Sequence, residues 1–249
     1  MRIGTATLAF VLAAVAAAPA QRQEVLVSAA ASLADVMEKI SLDYGRRTGI
    51  RIVVNTGASN TLARQIAAGA AVDLFISADE AQMDVVRGEV VANTRVDLLS
   101  NQLAIAVPAD RPRTLQSARE LTDPAFRRIA VGDPAAVPAG VYAKAYLEKL
   151  GIWPAVSAKA VPSASVRIAL AAVENGAADA AIVYRTDVLT ARGAVLALVI
   201  PVADGPRIVY PAAVIRSSRN REAASRFLAW LRRGEAVKIF AAAGFTRAD

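Results

Sequence analysis

Apolar residues fall into two alternating patterns along this chain. Short strand-like apolar runs at positions 25–27, 50–54, 73–77, 103–107, 129–131, 180–184, 196–202 and 209–215 predict strands. Between them, apolar spacings of three and four predict helices over 33–48, 61–68, 80–87, 142–150, 166–175, 221–231 and 235–243. Leu33, Val36, Met37 and Ile40 form the first helical stripe, and Leu62, Ile66 and Ala67 the second. Gly49, Gly69, Gly151, Gly176 and Gly193 stand just past helical segments, where they stop a helix. Strand alternating with helix predicts an α/β protein built on mainly parallel sheets flanked by helices.

The sequence contains no fixed-period repeat and no low-complexity linker. A split architecture is therefore expected, with the segment 98–107 and the strand 209–215 as two crossings between lobes. Residues 24–99 with 211–249 make the first lobe on this reading, and 100–210 the second. Two crossings return the C-terminal helices to the first lobe.

The N-terminus changes where the chain is expected to work. Met1-Arg2, an apolar run from Ile3 to Ala18 and then Ala18-Pro19-Ala20 read as a signal peptide cleaved after Ala20. The run is short for a membrane span, and no cysteine is present to carry a lipid. The mature protein is expected to be exported and soluble. With no Cys in an oxidising compartment, stability must come from packing, which a hydrophobic fraction of 55% can supply. The absence of His and Cys also removes the common zinc and copper ligands and excludes a His-based serine hydrolase triad.

A net charge of +7 raises the question of a nucleic-acid partner. The arginines are dispersed as Arg46-Arg47, Arg127-Arg128, Arg219 with Arg221, and Arg232-Arg233, with no aromatic-interleaved stripe, so no nucleic-acid partner is expected. A diffuse positive potential instead favours the encounter with a small anion.

Candidate chemistry lies in four turns that carry no Lys or Arg, each between a strand and a helix. Ala29-Ala30-Ala31-Ser32-Leu33 and Thr56-Gly57-Ala58-Ser59-Asn60-Thr61-Leu62 each place a serine at such a junction. The third, from Gly132 to Gly140, puts Pro138 at a first helical position, which leaves the N–H groups of Ala139 and Gly140 free. The fourth is Ser163-Ala164-Ser165-Val166, with Arg167 just inside the helix and read as an outward surface residue. Helix N-termini bind anions through free N–H groups and the helix dipole. Serine is also a common N-cap, and Ser32 with Asp35 fits a capping box, so both readings stand for these hydroxyls. Asp35, Asp133 and Asp187 are read as helix caps or solvated groups. Tyr184 ends a strand, where a phenol can aim into the crevice of an open α/β sheet or pack in the core.

Taken together these segments resemble the periplasmic molybdate-binding proteins of ABC import systems, which are type II periplasmic binding proteins. The resemblance is carried by Ala29-Ala30-Ala31-Ser32-Leu33, Ser59-Asn60-Thr61-Leu62-Ala63-Arg64-Gln65-Ile66, Asp73-Leu74-Phe75-Ile76-Ser77-Ala78-Asp79, Ala130-Val131-Gly132-Asp133-Pro134, Val137-Pro138-Ala139-Gly140, Ile182-Val183-Tyr184 and Tyr210-Pro211. It implies a two-lobe fold with molybdate, and tungstate, held in the cleft by neutral donors. Those donors are Ser32 and Ser59 from the first lobe, and Ala139, Val166 and the Tyr184 phenol from the second. It further implies no direct metal ligand, no cofactor, no catalysis, a monomer, and a membrane permease as partner. Asn60 and Arg185 depart from the familiar pattern beside these positions. A sulfate or other oxyanion receptor is the alternative within the class, and an exported hydrolase the alternative outside it.

Overall fold

The structure, a computed structural model, describes residues 23–248. The leader and its cleavage point after Ala20 lie outside the described residues. Among the described residues no helix is long and apolar enough to cross a membrane.

Two five-stranded sheets form the two lobes. The first contains β1 (Glu24–Ala30), β2 (Arg51–Gly57), β3 (Leu74–Ile76), β4 (Val96–Ser100) and β10 (Val209–Val214), in the order β2-β1-β3-β10-β4. The second contains β5 (Leu103–Pro108), β6 (Ile129–Gly132), β7 (Ala160–Ser163), β8 (Ala180–Tyr184) and β9 (Ala194–Val199), in the order β7-β6-β8-β5-β9. β10 is antiparallel to both its neighbours, and so is β5, while the other pairings are parallel. In each sheet four strands therefore run one way and a single strand opposes them. The two lobes are the same layout drawn twice, and the reversed strand in each is the one that arrives from the other lobe.

Helices α1 (Ala34–Thr48), α2 (Ser59–Ala67), α3 (Glu80–Val85), α8 (Arg221–Leu231) and α9 (Gly234–Ala242) belong to the first lobe. Helices α4 (Pro138–Lys149), α5 (Trp153–Ser157), α6 (Val166–Glu174) and α7 (Arg185–Leu189) belong to the second. Helices cover both faces of the sheets, so β5 and β10 are buried at every position and read as unbroken apolar runs. The C-terminal helices do return to the first lobe, where the Tyr44 ring of α1 meets Phe227 at 4.8 Å and Trp230 at 5.1 Å.

The chain crosses between the sheets at Asn101-Gln102 and again between Val199 and Val209. The crossings are tied together by the Ser100 hydroxyl, which donates to the Ile208 carbonyl at 2.8 Å. Of the five helix-stopping glycines, Gly49, Gly69, Gly151 and Gly176 adopt positive φ, whereas Gly193 does not. Gly193 is small because a Cβ there would lie 3.0 Å from the Glu174 carbonyl.

Candidate functional site

The site follows from strand register. β1 and β2 are paired so that Ala30 lies beside Gly57, and each strand places a serine two residues beyond that pair. Ser32 and Ser59 are thereby brought side by side at the C-terminal ends of the strands. In the second lobe Gly132 of β6 pairs with Ser163 of β7, and Val131 with Ile182 of β8. This register sends the starts of α4 and α6 and the residue Tyr184 to one edge. α6 packs on the short turn Ala31–Leu33, which sets the second-lobe edge against the first.

All five residues singled out by sequence line one cavity of about 220 Å³, shared between the lobes. Ala30, Ala31, Ala58 and Ala78 complete the first-lobe wall, and Val137 and Pro138 the second. A larger groove of about 890 Å³ between β4 and α9, lined by Leu99, Leu231 and Phe240 among others, lies on one lobe alone and holds none of these five.

Neither serine is a cap, and this corrects the capping reading. No side chain caps α1 or α2 among the described residues. The Ser59 Oγ instead accepts the Ala78 N–H at 2.9 Å, and Ser32 Oγ pairs with the Tyr210 hydroxyl at 2.9 Å. Ser59 opens α2 itself, two residues earlier than the apolar spacing placed the helix, so its N–H is among those without an intrahelical acceptor.

α4 begins at Pro138, at the first helical position expected for that proline and four residues before the apolar spacing starts at 142. Ala139 then contributes an N–H from the first turn. The turn depends on Gly140, where a Cβ would lie 2.0 Å from the Gly132 carbonyl oxygen, so only glycine lets α4 start this close to β6. In α6 the Ser165 Oγ accepts the Ile168 N–H at 3.3 Å, while the Val166 N–H, first in the helix, has no intrahelical acceptor, and Val166 lines the cavity. The Tyr184 ring is wholly buried, and its hydroxyl has no hydrogen-bond partner among the described residues. Burial, reinforced by the neighbouring Tyr210, Tyr142, Asp79 and Asp187, holds the Tyr184 phenol well above its ordinary pKa, so it remains an O–H donor.

Arg167 differs from its reading as an outward surface residue. Its Nη2 donates to Asp35 Oδ2 at 2.7 Å across the cleft, and its Nε lies 3.0 Å from Asp187 Oδ1. Asp187 is fully buried, and its other oxygen accepts the Tyr184 N–H at 3.2 Å, so it is a cap but not a solvated one. Burial pushes the Asp187 carboxyl up to about 6 against the opposing pull of Arg167 and the Tyr184 N–H. Partial burial also pushes Asp35 up, yet the hydrogen bond and charge of Arg167 outweigh it and hold that carboxyl below its ordinary value. Asp133 accepts the Ala135 N–H at 2.9 Å within its own turn. Arg185 reaches toward the Gly244 carbonyl of the first lobe, and Asn60 Oδ1 is buried without a partner among the described residues.

The cavity wall thus offers hydroxyl and N–H donors, and among the described residues no Lys or Arg lines it. Nor do the described residues contain a cluster of acidic, His or Cys side chains able to hold a bare metal ion. Hydroxyl and N–H donors at helix N-termini suit an anion.

Comparison with known proteins agrees with this geometry. The sequence matches the family of bacterial extracellular solute-binding proteins over residues 25–246. The chain belongs to this family. The solute-binding protein is 38% identical to the molybdate-binding protein ModA of Escherichia coli, over 91% of this chain and 90% of that one. Among solved structures, it is 34% identical to the substrate-binding domain of a putative molybdenum ABC transporter from Clostridium difficile, with a TM-score of 0.71 over 91% of this chain and 99% of that one. The periplasmic molybdate-binding protein of Azotobacter vinelandii shares the fold with a TM-score of 0.83 at 24% identity, covering 90% of this chain and 100% of that one. The two-lobe α/β fold of this solute-binding protein is that of periplasmic binding proteins, and the family binds solutes and does not catalyse reactions.

Sequence reasoning missed Tyr210, Asn101 and Thr186, which stand behind Ser32, as well as the Arg167 to Asp35 link. Their separations along the chain, 178 residues for Ser32 and Tyr210 and 132 for Arg167 and Asp35, leave no local signal.

Proposed function

We propose that this solute-binding protein captures molybdate, and tungstate of the same shape, outside the cytoplasm and delivers it to the membrane permease of an ABC importer. The observation that carries the reading is the convergence of five donor positions, Ser32, Ser59, Ala139, Val166 and Tyr184, on one small cavity between the lobes. The molybdate-binding relative at 38% identity supports the same ligand. On this reading residues 1–20 are a cleaved leader and the protein acts as a monomer.

A desolvated dianion requires a donor for each oxygen, and hydrogen bonds to a charged group contribute roughly 1.5–3 kcal/mol each. The anion touches both lobes only when they are closed, so it selects the closed form, and opening breaks half the donor set at once. Release to a transporter is easier from such a set than from a fixed cation.

Selectivity follows from proton count and size. Hydrogen phosphate carries a proton that an all-donor wall leaves unpaired, while sulfate is fully ionised but smaller than molybdate, whose bonds to oxygen are longer. Titration calorimetry with molybdate, tungstate, sulfate and phosphate is expected to give one site per chain for the first two and much weaker binding of the others. Sulfate binding as tight as molybdate, or tighter, would assign the protein to sulfate instead.

A further inference from the structure

The Ser32 hydroxyl is both a donor and an acceptor by nature, so something must decide which face it turns to the cavity. The deciding residue lies two bonds behind it. Asn101, in the first crossing, has its Oδ1 fixed by the Gln102 N–H at 2.9 Å, which settles which side of the amide is oxygen. Its Nδ2 therefore carries the two hydrogens, one donated to Thr186 Oγ1 at 2.8 Å and the other to the Tyr210 hydroxyl at 3.2 Å. A tyrosine hydroxyl that accepts from Nδ2 keeps one proton to give. Tyr210 is wholly buried, and its remaining hydrogen-bond partner among the described residues is Ser32 Oγ at 2.9 Å. An unplaced proton in that setting is costly, so Tyr210 donates to Ser32. Ser32 then accepts from behind, and its own proton is left for the cavity it lines.

Ser59 is prepared in the same manner by a different partner, since its Oγ accepts the Ala78 N–H. Each first-lobe serine has its acceptor side occupied from behind. We propose that Asn101 and Tyr210 form a one-way hydrogen-bond relay that locks Ser32 as a donor, making Tyr210 a positioning and specificity residue for unprotonated oxyanions. This rests on the reading of Ser32 as a ligand of the anion. The relay spans the first crossing, β10 and α7 of the second lobe, so the polarity of Ser32 is set by the residues that join the lobes.

Tyr210→Phe removes the hydroxyl and keeps the ring that packs on Tyr184 at 5.9 Å and on Phe245 at 5.7 Å. It is expected to weaken molybdate binding about tenfold, the size of one lost hydrogen bond. The same substitution in a Ser32→Ala background is expected to have no further effect, because Tyr210 acts only through Ser32. A purely structural role gives the full loss in both backgrounds, and that additivity would overturn the relay. Asn101→Asp supplies the reverse test. A carboxylate there accepts the Tyr210 proton, so Ser32 must donate backward and present a lone pair to the cavity.

Titrated at a mildly alkaline pH where phosphate is mainly a singly protonated dianion, Asn101→Asp is expected to lose molybdate and sulfate affinity while the phosphate-to-molybdate affinity ratio rises about tenfold. An added charge alone weakens all three dianions alike and leaves that ratio unchanged, a result that would also overturn the proposal. Thermal melting of each ligand-free variant confirms folding. If Ser32→Ala and Ser59→Ala both leave molybdate affinity untouched, the site reading itself fails. If both weaken it while Tyr210→Phe stays additive, the relay alone fails.

Discussion

Tyr184→Phe is expected to weaken molybdate binding by about 10- to 100-fold while leaving the ligand-free protein as stable as the parent, or slightly more so. The two effects separate because the Tyr184 hydroxyl has no partner among the described residues. Removing a buried hydroxyl that bonds nothing relieves its desolvation cost, and the ring keeps its tilted contact with Tyr210. What is lost is a donor that stays protonated at neutral and mildly alkaline pH, since burial holds its pKa well above the ordinary phenol value. Calorimetric titration gives the affinity, and thermal melting without ligand gives the stability. A fall in the ligand-free melting temperature of more than a few degrees with affinity unchanged would make Tyr184 a core residue and no part of the site.

The second large effect concerns the ion-pair group that Arg167 forms with Asp35 and Asp187. Arg167→Met leaves the fully buried Asp187 without its counter-charge and is expected to destabilise the ligand-free protein by about 3 kcal/mol near neutral pH, as breaking a buried pair from one side does. For a chain of this length that corresponds to roughly 6–12 °C in melting temperature.

The effect has a pH signature with a definite sign. Asp187 titrates near 6 in the folded protein against an ordinary value of 3.8, so the folded state binds that proton more tightly than the unfolded chain. Its contribution to stability is therefore lost as pH rises through the window between those two values. Without Arg167 the folded value moves higher still, and the loss continues to higher pH. The gap in melting temperature between parent and variant should accordingly be larger at about pH 8 than at about pH 5. A gap independent of pH would mean that Arg167 stabilises the fold through Asp35 and packing alone.

The parts of this fold that could be read along the chain are those whose burial is uniform. β5, β8 and β10 are buried at every position, and their apolar runs mark them without ambiguity. β7 carries no such mark because Val161 and Pro162 are exposed at the edge of its sheet, where proline is tolerated. α7 is a five-residue turn of helix and too short to show a period. The crossings were recognisable from β4, β5 and β10, yet their joining residue Asn101 is a single polar position with no pattern around it.

The site divides in a similar way. Ser32, Ser59 and Tyr184 carry functional groups that sequence inspection can weigh, and the uncharged turns around them are visible as such. Ala139 and Val166 line the cavity, and backbone N–H groups, which any residue except proline supplies, leave no side-chain signal: Pro138 pointed to Ala139 and Gly140 alike, and the resemblance chose Ala139 and Val166. The capping reading of the serines failed for a physical reason. A local motif such as Ser32 with Asp35 is judged against its neighbours, whereas the hydroxyl is claimed by Tyr210 from the far end of the chain. Arg167 was misread for the same reason, since its partners Asp35 and Asp187 belong to other elements.

The central claim is that neutral donors hold an intact oxyanion, with no protein atom bound to the metal. Molybdenum K-edge X-ray absorption on the protein loaded with one equivalent of molybdate tests this directly. The account predicts the spectrum of a tetrahedral, four-oxygen centre with the strong pre-edge feature of free molybdate and no additional ligand shell. A six-coordinate centre, or one in which a protein oxygen or nitrogen enters the first shell, would contradict it.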